Sequence, residues 1–106
     1  MIAKKTKAAV ATAVESELKN CTAVYDYQYH SMHEAANVMY EEMLETNIEL
    51  RKVIDGWNRL QRCVFDNDAE TAMEIAKQIE ENAVKAMCEA AQVAACAKKL
   101  QRGTVI

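Results

Sequence analysis

Residues 39–70 read MYEEMLETNIELRKVIDGWNRLQRCVFDNDAE, an apolar rhythm of period seven that stops at Asp66-Asn67-Asp68. Traced backwards, the rhythm keeps its phase to about residue 22. One file carries Tyr29, Ala36, Met43, Leu50, Trp57 and Val64, and a companion file carries Tyr25, Met32, Met39, Thr46, Val53 and Leu60. Apolar residues recurring at alternating steps of three and four share one face of a helix. Glu41, Glu42, Glu45, Glu49, Arg51, Lys52 and Arg59 fall off that stripe, as a solvated face requires. The pattern predicts one long helix over 22–65, about 65 Å at roughly 1.5 Å per residue.

Asp66, Asn67 and Asp68 are capping and turn-forming residues, and Asn67 followed by Glu70 imitates a capping box. A second helix is predicted over 69–102, where Lys98, Lys99 and Arg102 suit the negative end of the helix dipole and Gly103 supplies the C-cap. So short a connection turns the two helices into an antiparallel hairpin. The second helix repeats Ala69, Ala76, Ala83, Ala90 and Ala97 in one file and Ala72, Ile79, Ala86, Val93 and Leu100 in the next. Small residues let helix backbones approach closely, so Met39, Met43, Leu50 and Trp57 of the first helix are expected to fill the groove.

Residues 4–20 also read as helix, with Val10, Val14, Leu18 and Cys21 as the apolar set. This segment either extends the long helix or breaks near Asn20 and Thr22 and folds back as a third N-terminal helix. An apolar overhang is unstable alone, so oligomerisation is expected to complete the bundle.

Composition agrees with an all-α chain forming a single helical domain, coiled-coil-like around a long central helix. Among 106 residues there is no proline and there are only two glycines, where a strand-rich fold would need frequent turn punctuation. A chain of this size buries only about two-thirds of its unfolded surface, so the core must be thin. The formal net charge of −3 opposes phosphate neutralisation, and no nucleic-acid partner is expected. Lys4, Lys5 and Lys7 are read as a solvated helix start. Cys21, Cys63, Cys88 and Cys96 lack the close spacing of a zinc or redox motif and are read as reduced thiols, which implies a cytoplasmic location. Ala8 to Val14 is too short and too interrupted for a signal peptide, and no stretch approaches the roughly twenty apolar residues of a transmembrane segment.

His30 and His33 stand one turn apart, with Asp26 and Glu34 four residues before and after His30. A metal-binding helical bundle built on Asp26, His30, His33 and Glu34 is therefore the alternative of another class. A di-metal bundle needs Glu-x-x-His on two helices; neither histidine has a glutamate three residues earlier, and no metal is expected. Ser16, Ser31 and the threonines lack a visible base, and there is no glycine-rich loop, so no catalytic residue and no cofactor are expected. Tyr25, Tyr27 and Tyr29 alternate as a strand would, yet stand between helical patterns and are read as helix with rings on several sides. Rings that cannot all face one core are frequent interface anchors, and methionines fit many shapes. Tyr25, Tyr29, Met32, Met39, Met43, Leu50 and Trp57 are the candidate interaction residues.

Trp57-Asn58-Arg59-Leu60, then Asp66 to Asp68, then Glu70-Thr71-Ala72-Met73-Glu74-Ile75, within about 40–100, resemble the phasins, small helical proteins that coat bacterial polyhydroxyalkanoate granules. Ala76 stands where that family often has glutamine, no phenylalanine follows in the second helix, and four cysteines are unusual for it. The resemblance implies binding at an apolar granule surface and carries over no catalytic residue. The expected function is that of a non-enzymatic helical interaction protein acting through apolar helix faces: self-association, binding of a helical protein partner, or coating of an apolar surface. A small secretion-type or assembly chaperone or adaptor for a helical partner is the alternative.

Overall fold

The computed structural model describes residues 2–24 and 29–102. The chain is all-α, with α1 at Lys4–Val24, α2 at Met32–Phe65 and α3 at Ala69–Gln101. Among the described residues no helix is long and apolar enough to cross a membrane. The chain divides into two compact units, Met1–Met43 with Glu89–Ile106, and Leu44–Cys88.

In the first unit α1 is a helix of its own and runs on to Val24, past Asn20 and Thr22, where one of the two alternatives placed a break. Val14 and Leu18, one turn apart, are buried against Ala95, with Ala91 and Ala94 beside them. The expectation of one helix from residue 22 to residue 65 is corrected here, because α2 begins only at Met32. The cause is local. Ser31 Oγ accepts a hydrogen bond from the Glu34 N–H at 3.1 Å and the Ser31 carbonyl accepts from the Ala35 N–H at 3.2 Å, which makes Ser31 the N-cap of α2. Tyr29 precedes this cap, outside either helix. Its ring is buried, its hydroxyl donates to the Cys96 carbonyl at 3.4 Å, and Lys99 Nζ lies 4.5 Å from the ring centroid. Lys99 is itself buried, and its ammonium faces the negative face of the ring. Lys98 of α3 is bonded to Glu15 of α1 across the exposed rim.

In the second unit α2 and α3 form an antiparallel hairpin. Its turn is a Schellman motif: Asp68 N–H donates to the Cys63 carbonyl at 2.9 Å and Asn67 N–H to the Val64 carbonyl at 3.3 Å. Asn67 takes φ 55°, the left-handed region that asparagine tolerates better than other residues with a Cβ. The cap of α3 is Asp68 and not Asn67, since Asp68 Oδ1 accepts from the Thr71 N–H at 3.1 Å and the Asp68 carbonyl from the Ala72 N–H at 3.0 Å. Asp68 completes the closure of α2 and also opens α3, so the three residues Asp66 to Asp68 suffice for the connection.

Two carboxyls in these joints titrate low. The hydrogen bond and charge of Lys98 hold Glu15 below its ordinary value of 4.5, and the hydroxyl and backbone N–H of Thr71 hold Asp68 below 3.8. A depressed carboxyl stabilises the fold fully above its unfolded value and ceases to do so as pH falls through its folded value. Melting followed by far-ultraviolet circular dichroism should therefore show stability falling on acidification below about pH 4.5. Asp68→Ala should melt lower at pH 7 and depend less on pH in that window, because it removes a helix cap together with its titration. An unchanged melting temperature at pH 7 would contradict this placement of the cap.

The hairpin packs through a different file from the one the apolar rhythm suggests. On α2, Gly56 and Cys63 are buried, while Thr46, Glu49, Val53 and Leu60 are half-buried. On α3, Ile75 and Ala86 are buried, while Ala72, Ile79, Asn82 and Ala83 are half-buried. Met43, Leu50, Trp57 and Val64 are exposed, as are Ala69, Ala76 and Ala90. The companion files, Val53 and Leu60 on α2 and Ala72, Ile79 and Ala86 on α3, do face the joint. Large still meets small, with the roles exchanged: a Cβ added at Gly56 would come within 2.7 Å of Ile79 Cγ1. Glycine lets the α2 backbone approach α3, and the isoleucines of α3 supply the bulk.

Candidate interaction surface

Because α2 meets α3 through Gly56 and Cys63, its bulkiest file is left facing outwards. Leu50 is 46% exposed, Ile54 58%, Trp57 53% and Val64 67%, and Phe65 at the end of the helix reaches 89%. At about 3.6 residues per turn, Asn47, Ile54 and Gln61 make one file and Leu50, Trp57 and Val64 the next, which is the a/d arrangement of a coiled-coil seam. Leu44 and Ile48 are exposed as well, but helical spacing turns Ile48 away from the seam, to the side of Arg59.

The hairpin has two flanks, and a hydrogen bond assigns them. Arg59 Nη1 donates to Gln78 Oε1 at 3.3 Å across one flank. Helical spacing then puts Leu50, Trp57 and Val64 of α2 on the opposite flank together with Ala76 and Met87 of α3. Met73 lies at the edge of that same flank, and Met73 and Met87 are both exposed. One flank therefore carries the Arg59–Gln78 bond, and the other carries an apolar strip drawn from both helices, with Glu80 beside the methionines.

The joint itself carries a carboxylate. Glu49 Oε1 receives Lys52 Nζ at 3.1 Å, while Glu49 Oε2 is buried without a hydrogen-bond partner. A half-satisfied acid in the joint, beside isoleucine and leucine on exposed surface, inverts the usual distribution of polar and apolar groups in a finished core.

The candidate residues named from sequence fall into three groups. Met32, Met43, Leu50 and Trp57 are exposed on α2, Met39 is half-buried, and Tyr29 is inside the first unit with its hydroxyl bonded to Cys96. Tyr25 lies outside the described residues, as do Asp26 and Gly103. His30 Nδ1, just before the cap of α2, sits 3.4 Å from Glu34 Oε2 in the first turn, with His30 and His33 both exposed. Such a pair at the surface contributes little to stability and shapes no cavity. Cys63 is a buried free thiol and Cys88 an exposed one, while Cys96 is buried.

Ile54, Val64 and Phe65 belong to the strip without being among the candidates that the sequence pointed to. Val64 continues the file of Leu50 and Trp57. The signal for Ile54 was a second rhythm one step to the side, four residues after Leu50 and three before Trp57. No family model matches the chain, and neither a curated protein nor a solved structure matches it.

Proposed function

We propose that this chain is a non-enzymatic helical interaction protein of the cytoplasm whose working surface is the apolar strip of Leu50, Ile54, Trp57 and Val64. The observation that carries the proposal is that these side chains stay exposed while the same helix satisfies its partner through Gly56 and Cys63. Removing apolar surface from water is worth roughly 25 cal/mol per Å², so a strip of this kind is a standing drive for association. Its heptad spacing suits the apolar face of another helix, laid in as knobs into holes. The resemblance to phasins over about 40–100 supports a variant in which the counterpart is an apolar particle.

Trp57 is the chain's one tryptophan, so its emission reports on the strip directly. Emission should shift to the blue when an amphipathic helical peptide, apolar emulsion droplets or a higher concentration of the chain itself covers the strip. Droplets alone would favour the coat; the peptide or the chain itself would favour helix pairing. A fully solvated emission maximum under all three conditions would end the proposal.

A further inference from the structure

We infer that the strip is covered by a second copy of this chain, the two α2 helices lying antiparallel about a two-fold axis with Leu50 of one copy opposite Ile54 of the other. This rests on the proposed interaction role and names its partner.

The hairpin calls for a second pair of helices. Between Leu44 and Cys88 only Gly56, Cys63, Ile75 and Ala86 are buried, and of these only Ile75 brings a large side chain. Two hairpins stacked on their apolar flanks make a four-helix bundle, the usual way such elements complete a core. The half-exposed side chains of α2 and α3 on this flank offer roughly 600 Å² of apolar surface per copy, judged from typical side-chain areas. That approaches the roughly 800 Å² per partner of a stable interface.

The order of residues selects the orientation. In the antiparallel register Leu50 meets Ile54 of the second copy and Trp57 meets Asn47 of the second copy. The two-fold repeats both pairs, giving four consecutive layers, each with at least one bulky apolar group. A parallel pairing would stack Trp57 on Trp57 and Asn47 on Asn47.

The register can be tested by complementation with the full chain. Light scattering coupled to size exclusion should give twice the 11.9 kDa monomer mass for the unmodified chain. Leu50→Glu and Ile54→Lys, each alone, should raise the dimer dissociation constant by roughly 100-fold or more, since each leaves a charge unpaired in the seam. Mixed in equal amounts, the two variants should dimerise again, because the new acid of one faces the new base of the other and the remaining Ile54 faces Leu50. In a parallel dimer, or in any other register, the mixture stays monomeric and the inference is overturned. Two single variants that remain dimeric while retaining helicity would place the interface elsewhere and overturn it equally. A monomeric unmodified chain whose Trp57 emission still shifts with peptide or droplets would overturn the second copy while leaving the proposed interaction role intact.

Discussion

Replacing Leu18 with alanine should lower the free energy of unfolding by about 3 kcal/mol, within the range found when a buried leucine is truncated. The side chain is 1% exposed and is the largest apolar group of the cluster it forms with Val14 and Ala95. Its neighbours on α3 are alanines, Ala91, Ala94 and Ala95, whose methyl groups cannot swing into the space a leucine leaves. The vacated volume therefore persists unless α1 moves as a whole, and the dispersion attraction forfeited across a fixed gap is not recovered. Val10, one turn before Val14 and 43% exposed, serves as the internal control. Val10→Ala should change stability by no more than about 0.5 kcal/mol. Urea unfolding followed by far-ultraviolet circular dichroism measures both, and equal effects of the two variants would mean that α1 does not dock through the Val14 and Leu18 face.

The helices and the turn at Asp66-Asn67-Asp68 were legible because periodicity and capping are local properties of the chain. Two features were not. The entry to α2 hides behind an unbroken heptad phase, since Tyr25 and Tyr29 continue the apolar file although Tyr29 lies outside the helix. Ser31-Met32-His33-Glu34 is a serine followed three residues later by glutamate, and that capping pattern outranks hydrophobic phase as a marker of a helix start. The second feature is which stripe faces inwards. Hydrophobic ranking puts Leu50 and Trp57 in the core, but it measures how strongly a side chain avoids water and not how closely two backbones can approach. Gly56, the sole glycine inside the heptad segment, was the available signal, because a glycine kept in a helix interior despite its poor propensity commonly marks a close packing contact. Once Gly56 is placed against α3, the file of Leu50, Trp57 and Val64 turns outwards. The candidate surface then follows from the same fact.

Gly56→Val should therefore open the hairpin, with a cost of about 2–3 kcal/mol. Two effects compete at this position. Any substitution removes the helix penalty of glycine, worth about 1 kcal/mol relative to alanine. Against that, the new Cβ would lie 2.7 Å from Ile79 Cγ1 and 3.4 Å from Ile79 Cδ1, and Cγ1 is not the free end of the side chain, so Ile79 cannot yield by rotating its tip alone. For alanine the steric cost outweighs the propensity gain, and a net loss of about 1 kcal/mol is expected. Valine adds two further methyl groups and gives back most of the propensity gain through its stiff χ1, so the steric cost dominates. The mechanism predicts its own remedy: Ile79→Ala, harmful alone because it empties the joint, should restore most of the stability of Gly56→Val, with a coupling energy above about 1 kcal/mol in a double-mutant cycle. Additive effects of the two substitutions would mean that Gly56 and Ile79 do not touch. The same cycle separates packing from association, because Gly56 lies in the joint and not on the exposed strip. Its variants should lose stability at every chain concentration, whereas Leu50→Glu should lose only the part of the stability that depends on concentration.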